Sequence, residues 1–167
     1  MTTLQGILSF PNPVNEIAAR LVAGMVFVLT ISTIVTMEPW LFFFLAYGFL
    51  ARVATGPTLS PMGILSTKII LPMIGNPNRA VPGPPKRFAQ SIGLVFSVTA
   101  LILAIPFDLV LAARWVLSIL AVFAALESFV GFCAGCFVFN RLIQLGVIPE
   151  SVCQACVIPM KNPDTQS

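Results

Sequence analysis

The 167 residues are 57% apolar and only 9% charged, with a mean hydropathy of +0.98, whereas a soluble domain carries roughly a quarter charged residues; an ordinary water-soluble globule is excluded. Nine Lys and Arg against six Asp and Glu leave a net charge of +3, too scattered for the dense basic patch of a nucleic-acid interface. Histidine is absent, which removes imidazole haem ligation, Ser-His-Asp hydrolysis and His-based metal sites and leaves Cys or carboxylate to carry any chemistry.

A hydrocarbon core of ~30 Å needs about 20 apolar helical residues, and four runs approach that length. FPNPVNE, Phe10 to Glu16, leads in as a turn, with Asn15 as helix cap and Glu16 at the positive end of the helix. The first run, Ile17 to Met37, carries Arg20 one turn inside its start and is closed by Glu38-Pro39; it lacks the form of a cleaved signal and is read as a retained helix. The second begins at Pro39-Trp40 and continues through WLFFFLAYGFLA to Arg52, before Thr55-Gly56-Pro57 breaks it. It is short, and Arg52 is expected to snorkel to the interface along its aliphatic stem.

Residues 55–87 hold seven of the fourteen prolines: Pro57, Pro61, Pro72, Pro77, Pro82, Pro84 and Pro85. The apolar island Leu59 to Gly75 is cut by Lys68 and bounded by Pro61 and Pro72, so its unbroken helix is only about ten residues and an interfacial or re-entrant segment fits it better than a fifth span. In PGPPKRFAQ, Lys86 and Arg87 precede the third run and read as anchors against anionic headgroups. The third run, Phe88 to Phe107, is uncharged and ends at Pro106-Asp108; the fourth starts near Leu109 and stays apolar, apart from Arg114 and Glu127, as far as Asn140.

With four spans, Arg20, Arg52, Lys68, Arg79, Lys86, Arg87, Arg141 and Lys161 share one side, and only Arg114 falls opposite, beside Glu38 and Asp108. Basic loops mark the cytoplasmic side. The expected fold is therefore an all-α, multi-pass protein of the inner (cytoplasmic) membrane. Residues 1–147 form a four-helix transmembrane domain with the Pro-rich segment between helices two and three, residues 148–167 form a cytoplasmic Cys-containing tail, and both termini are cytoplasmic.

The four cysteines form two C-x-x-C pairs, Cys133/Cys136 and Cys153/Cys156, with sixteen residues between them. Both pairs fall on the reducing side, and three readings compete. The spacing suits a tetrathiolate zinc site, or iron held by the same four thiolates. It also suits thiol exchange, one pair at the membrane and one in the tail passing electrons or sulfur; a break at Gly131 would place Cys133 near a new helix N-terminus, where the dipole favours thiolate. Alternatively the cysteines are small apolar residues, and Gly131 and Gly135 form a small-xxx-small helix contact. Disulfide-forming enzymes that feed quinone serve an oxidising exterior, so sidedness separates this chain from them. Glu127, deep in the fourth run, must be neutral or paired, with Arg20, Arg52 or Tyr47 as candidate partners, and on a continuous helix it points away from Cys136.

Taken together and in order, FPNPVNE, GPTLSPMG, PGPPKRFAQ, GFCAGC and CQAC give a chain that resembles the bacterial integral-membrane family catalogued as domain of unknown function 4395 (DUF4395). The resemblance implies that Cys133, Cys136, Cys153 and Cys156 belong to the family's cysteine pattern. It also implies sulfur or disulfide traffic, members occurring near or fused to thioredoxin-like and sulfurtransferase proteins. The leading expectation is a membrane-embedded thiol/disulfide or sulfur relay serving such a soluble partner. The alternatives are a non-catalytic membrane subunit with a structural tetra-Cys zinc or iron site, and an accessory subunit of a larger membrane complex.

Overall fold

The structure, a computed structural model, describes residues 12–77 and 79–147. Its elements in chain order are β1 (Val14–Asn15), α1 (Glu16–Thr36), α2 (Pro39–Thr55), α3 (Pro61–Met73), β2 (Ala80–Val81), α4 (Gly83–Ala104), α5 (Val110–Val130) and α6 (Ala134–Gln144). The chain is mostly helical. Three helices, α1, α4 and α5, are long and apolar enough to cross a membrane, and α2 is a fourth apolar helix of 17 residues.

The helix ends follow local chemistry. Asn15 caps α1 as expected, its Oδ1 accepting the Ile17 N–H at 3.0 Å. Pro39 opens α2 at a position where its missing N–H costs nothing, and Gly56, at φ +67, closes it by donating to the Arg52 carbonyl. The island between α2 and α4 is longer than Pro72 suggested, because a π-helical turn over Leu65–Ile70 widens the backbone just before the proline ring and the helix continues to Met73. A two-residue antiparallel ladder, Val14 with Val81 and Asn15 with Ala80, also departs from the all-helical expectation. It ties the entry to α1 to the segment before α4, reinforced by an ion pair of Arg79 with Glu16 at 3.0 Å.

Helix α4 packs against α2, α5 and α6, and α1 packs against α5. In an apolar surround, close packing rather than water release holds helices together, so small residues sit at the contacts. A Cβ on Gly93 would collide with the Phe49 ring, and one on Gly135 would stand 2.6 Å from Ala89. Thr30, Ser32, Thr33 and Thr36 return their hydroxyls to carbonyls one turn back, leaving no orphan donor along α1. The outward faces are apolar, as at Val35 (72% exposed) and Leu111 (70%), which suits a lipid surround.

The fourth apolar run is not one helix to Asn140. It stops at Val130, Gly131 takes φ +77, and the chain turns into α6. The ends of α2 and α5 and the starts of α1 and α4 lie together, bringing Arg20, Arg52, Lys86, Gln90 and Glu127 to one end of the bundle. Glu38, Asp108 and Arg114 occupy the opposite helix ends.

Candidate functional site

The break at Gly131 builds the site. Its left-handed φ suits glycine alone without cost, and a Cβ there would meet the Arg20 guanidinium carbon at 3.1 Å. Arg20 explains the proximity: its Nε and Nη2 donate to the carbonyls of Ser128 and Phe129, at 3.3 and 3.2 Å, satisfying the open end of α5. Phe132 donates back to the Leu126 carbonyl at 3.1 Å, and the chain restarts two residues after the glycine with Cys133 as the N-cap of α6.

That position defines the chemistry of the pair. Cys133 Sγ accepts the backbone N–H of Cys136 at 3.3 Å, and the Cys136 thiol donates to the same sulfur, the two Sγ atoms approaching to 2.6 Å. Both are free cysteines, neither buried nor fully exposed. The donated Cys136 thiol holds Cys133 below the ordinary thiol range, and the Lys86 ammonium and Cys136 N–H act in the same direction against burial and the Glu127 carboxylate. Cys136 moves the opposite way, pushed up by its bond to Cys133 and by burial. One sulfur is disposed to carry the charge and the other the proton.

Glu127 does not pair with Arg20, Arg52 or Tyr47. Its Oε1 accepts from Lys86 Nζ at 2.7 Å, with both side chains largely out of solvent. Lys86 is correspondingly not a headgroup anchor; it is 7% exposed and turned into the bundle. The π turn over Leu126–Val130 and the break at Gly131 also remove the continuous helix on which Glu127 was expected to point away from Cys136. Glu127, Gln90, Ala89 and Cys133 line one cavity of about 120 Å³, and the Glu127 carboxylate acts electrostatically on both sulfurs. Arg52 does not snorkel either: at 4% exposure it donates to Gln90 Oε1 at 2.9 Å and lies over the Phe49 ring.

Of the expected site residues, the fold therefore brings together Cys133, Cys136 and Glu127, while Cys153 and Cys156 lie outside the described residues. Among the described residues no group of three or more His, Cys, Asp or Glu converges as metal ligands; only half of the cysteine quartet is among them. Sequence reasoning missed Lys86 and Gln90 as neighbours of the site, whereas Arg52, a candidate partner of Glu127, lies close enough to feel its charge without pairing with it. The one available signal was Glu127 itself, an acid in an apolar helix that demanded a cation from another element.

With this geometry the family assignment is direct. The chain belongs to DUF4395. The family model, described as a domain of unknown function, matches residues 14–144. The matched stretch takes in Lys86, Glu127, Cys133 and Cys136 and ends before the second cysteine pair. No curated protein and no solved structure matches this DUF4395 chain.

Proposed function

We propose that the protein is a thiol/disulfide or sulfur relay of the cytoplasmic membrane. In this reading α1, α2, α4 and α5 cross the bilayer, α3 is interfacial or re-entrant, and both termini are cytoplasmic. The strongest support is the position of Cys133: an N-cap sulfur that accepts both an N–H and an S–H from Cys136, beside a buried lysine. A thiolate so held is a nucleophile, and a protonated partner three residues on is a resolving group.

In the exchange, the Cys133 thiolate attacks one sulfur of a disulfide in a soluble thioredoxin-like partner, forming a mixed disulfide and releasing the partner's other sulfur as thiolate. Cys136 passes its proton to the partner thiolate just released and attacks the Cys133 sulfur, displacing the partner's remaining thiolate. The Cys133/Cys136 pair is then oxidised by two electrons and the partner reduced by two. The tail pair, Cys153 and Cys156, returns the electrons by the same exchange and is itself left as a disulfide. With a sulfurtransferase partner, Cys133 instead accepts the terminal sulfur of a persulfide and the partner leaves as its thiolate.

The test is anaerobic purification followed by zinc and iron analysis, thiol counting and a redox titration of alkylation mass shifts. The expected result is a reversible two-electron couple on the peptide carrying Cys133 and Cys136 in metal-free protein, lost from that peptide in both Cys133→Ser and Cys136→Ser, with Cys136→Ser trapping a mixed disulfide with the partner. One tightly bound metal per chain with four unreactive thiols would overturn the relay in favour of the structural tetra-Cys site.

A further inference from the structure

A second cavity, of about 240 Å³, lies at the same end of the bundle and shares Val22 and Gln90 with the one beside the thiols. It is walled by the start of α1, the end of α2, α3 and the start of α4. Ala18, Ala19, Val22 and Pro57 make much of the lining apolar, and Arg52 and Lys86 face it with no Asp or Glu among the lining residues. Lys86 has its counter-charge in Glu127. Arg52 has no ion pair of its own: among the described residues no carboxylate lies within ion-pair distance of it, Glu127 acts on it only from farther off, and its bonds go to neutral acceptors, Gln90 Oε1 at 2.9 Å and Met62 Sδ at 3.7 Å.

Arg52 and Lys86 thus set two buried cations against the single carboxylate of Glu127, an excess of positive charge that is costly unless an anion joins it, and the planar donor edge of the guanidinium suits a carboxylate or phosphate. The cavity is smaller than a drug-sized ligand site, so it fits a small molecule or the end of a longer one. We propose that it binds an organic anion, the anionic head on Arg52 and an apolar body against Ala18, Ala19, Val22 and Pro57. Two sources carry that chemistry, a soluble short-chain acid and the head region of an acidic lipid. The site does not depend on thiol exchange at Cys133.

Thermal unfolding of the full chain in uncharged detergent tests it, with hexanoate, hexanol and short-chain phosphatidylglycerol as probes. A saturable rise in midpoint with hexanoate identifies a soluble anion, and a rise with phosphatidylglycerol alone identifies a lipid head; hexanol leaves the midpoint unmoved. The apparent affinity falls at least tenfold in Arg52→Gln and survives in part in Arg52→Lys. Ala19→Phe, which fills the cavity without touching the charge, abolishes the response and serves where Arg52→Gln does not fold. No saturable rise with either anion, an equal rise with hexanol, or a rise unchanged in Ala19→Phe overturns the proposal.

Discussion

Lys86 and Glu127 stand 41 positions apart in the chain and meet at 2.7 Å, and each would be untenable alone at that depth. Removing one partner of a buried pair strands the other charge, at a cost of about 3–5 kcal/mol, whereas replacing both by apolar groups is near neutral. Glu127→Gln is therefore expected to lower stability by that order, and Lys86→Met with Glu127→Met to recover most of it, read by denaturant unfolding in detergent. The same two residues tune Cys133 from opposite sides. Because its thiol is held below the ordinary range, alkylation of Cys133 should reach half its maximal rate below the pH typical of a free cysteine, about 8.5. Lys86→Met moves that midpoint up by removing a cation. Cys136→Ala also moves it up by removing the S–H donor. An unchanged midpoint in both would deny Cys133 its thiolate character.

Gly131 decides where α5 ends, and with it which residue caps α6. In Gly131→Ala, a left-handed φ costs about 1–2 kcal/mol, and the added carbon presses on Arg20. The variant is expected to lose that much stability and to lose the preferential alkylation of Cys133 over Cys136, as mass spectrometry of the alkylated peptides would read. A full loss of stability with selectivity intact would uncouple the break from the thiols. The sequence shows the first two apolar helices closely, since Asn15, Pro39 and Gly56 punctuate them, while the third starts at Gly83, five residues before Phe88, because Pro84 and Pro85 fit the first turn of a helix instead of ending the loop. It does not show where the fourth ends: GFCAGCFVFN carries no charge, so hydropathy runs past a turn that one glycine makes. The cysteine pair was legible because its spacing is local. Lys86 and Gln90 were not, because they reach the site from another helix and no period in the chain marks them; Arg52 could be named only as one of several cations able to approach Glu127.

The bundle's charge is arranged end to end rather than side to side. The Arg52 bond to Gln90 and the Arg87 bond to the Val53 carbonyl hold the finish of α2 beside the start of α4, so everything between them leaves and returns at one end. Helix α3 has 13 residues, about 20 Å at 1.5 Å per residue, which falls short of the ~30 Å of hydrocarbon that a crossing helix must span. Trp40 and Trp115, both well exposed, sit near Glu38, Asp108 and Arg114 at the far end, where amphipathic rings favour an interface. If the cation-rich end faces the cytoplasm, cysteines introduced into a Cys-free chain should report it through a membrane-impermeant maleimide. Glu38→Cys and Asp108→Cys should label in intact cells and be protected in inverted vesicles, and Arg79→Cys, exposed at the cation-rich end, should behave in reverse. Labelling of Arg79→Cys from outside would place the thiols of Cys133 and Cys136 in an oxidising compartment, and a cytoplasmic thioredoxin-like partner could then no longer reach them.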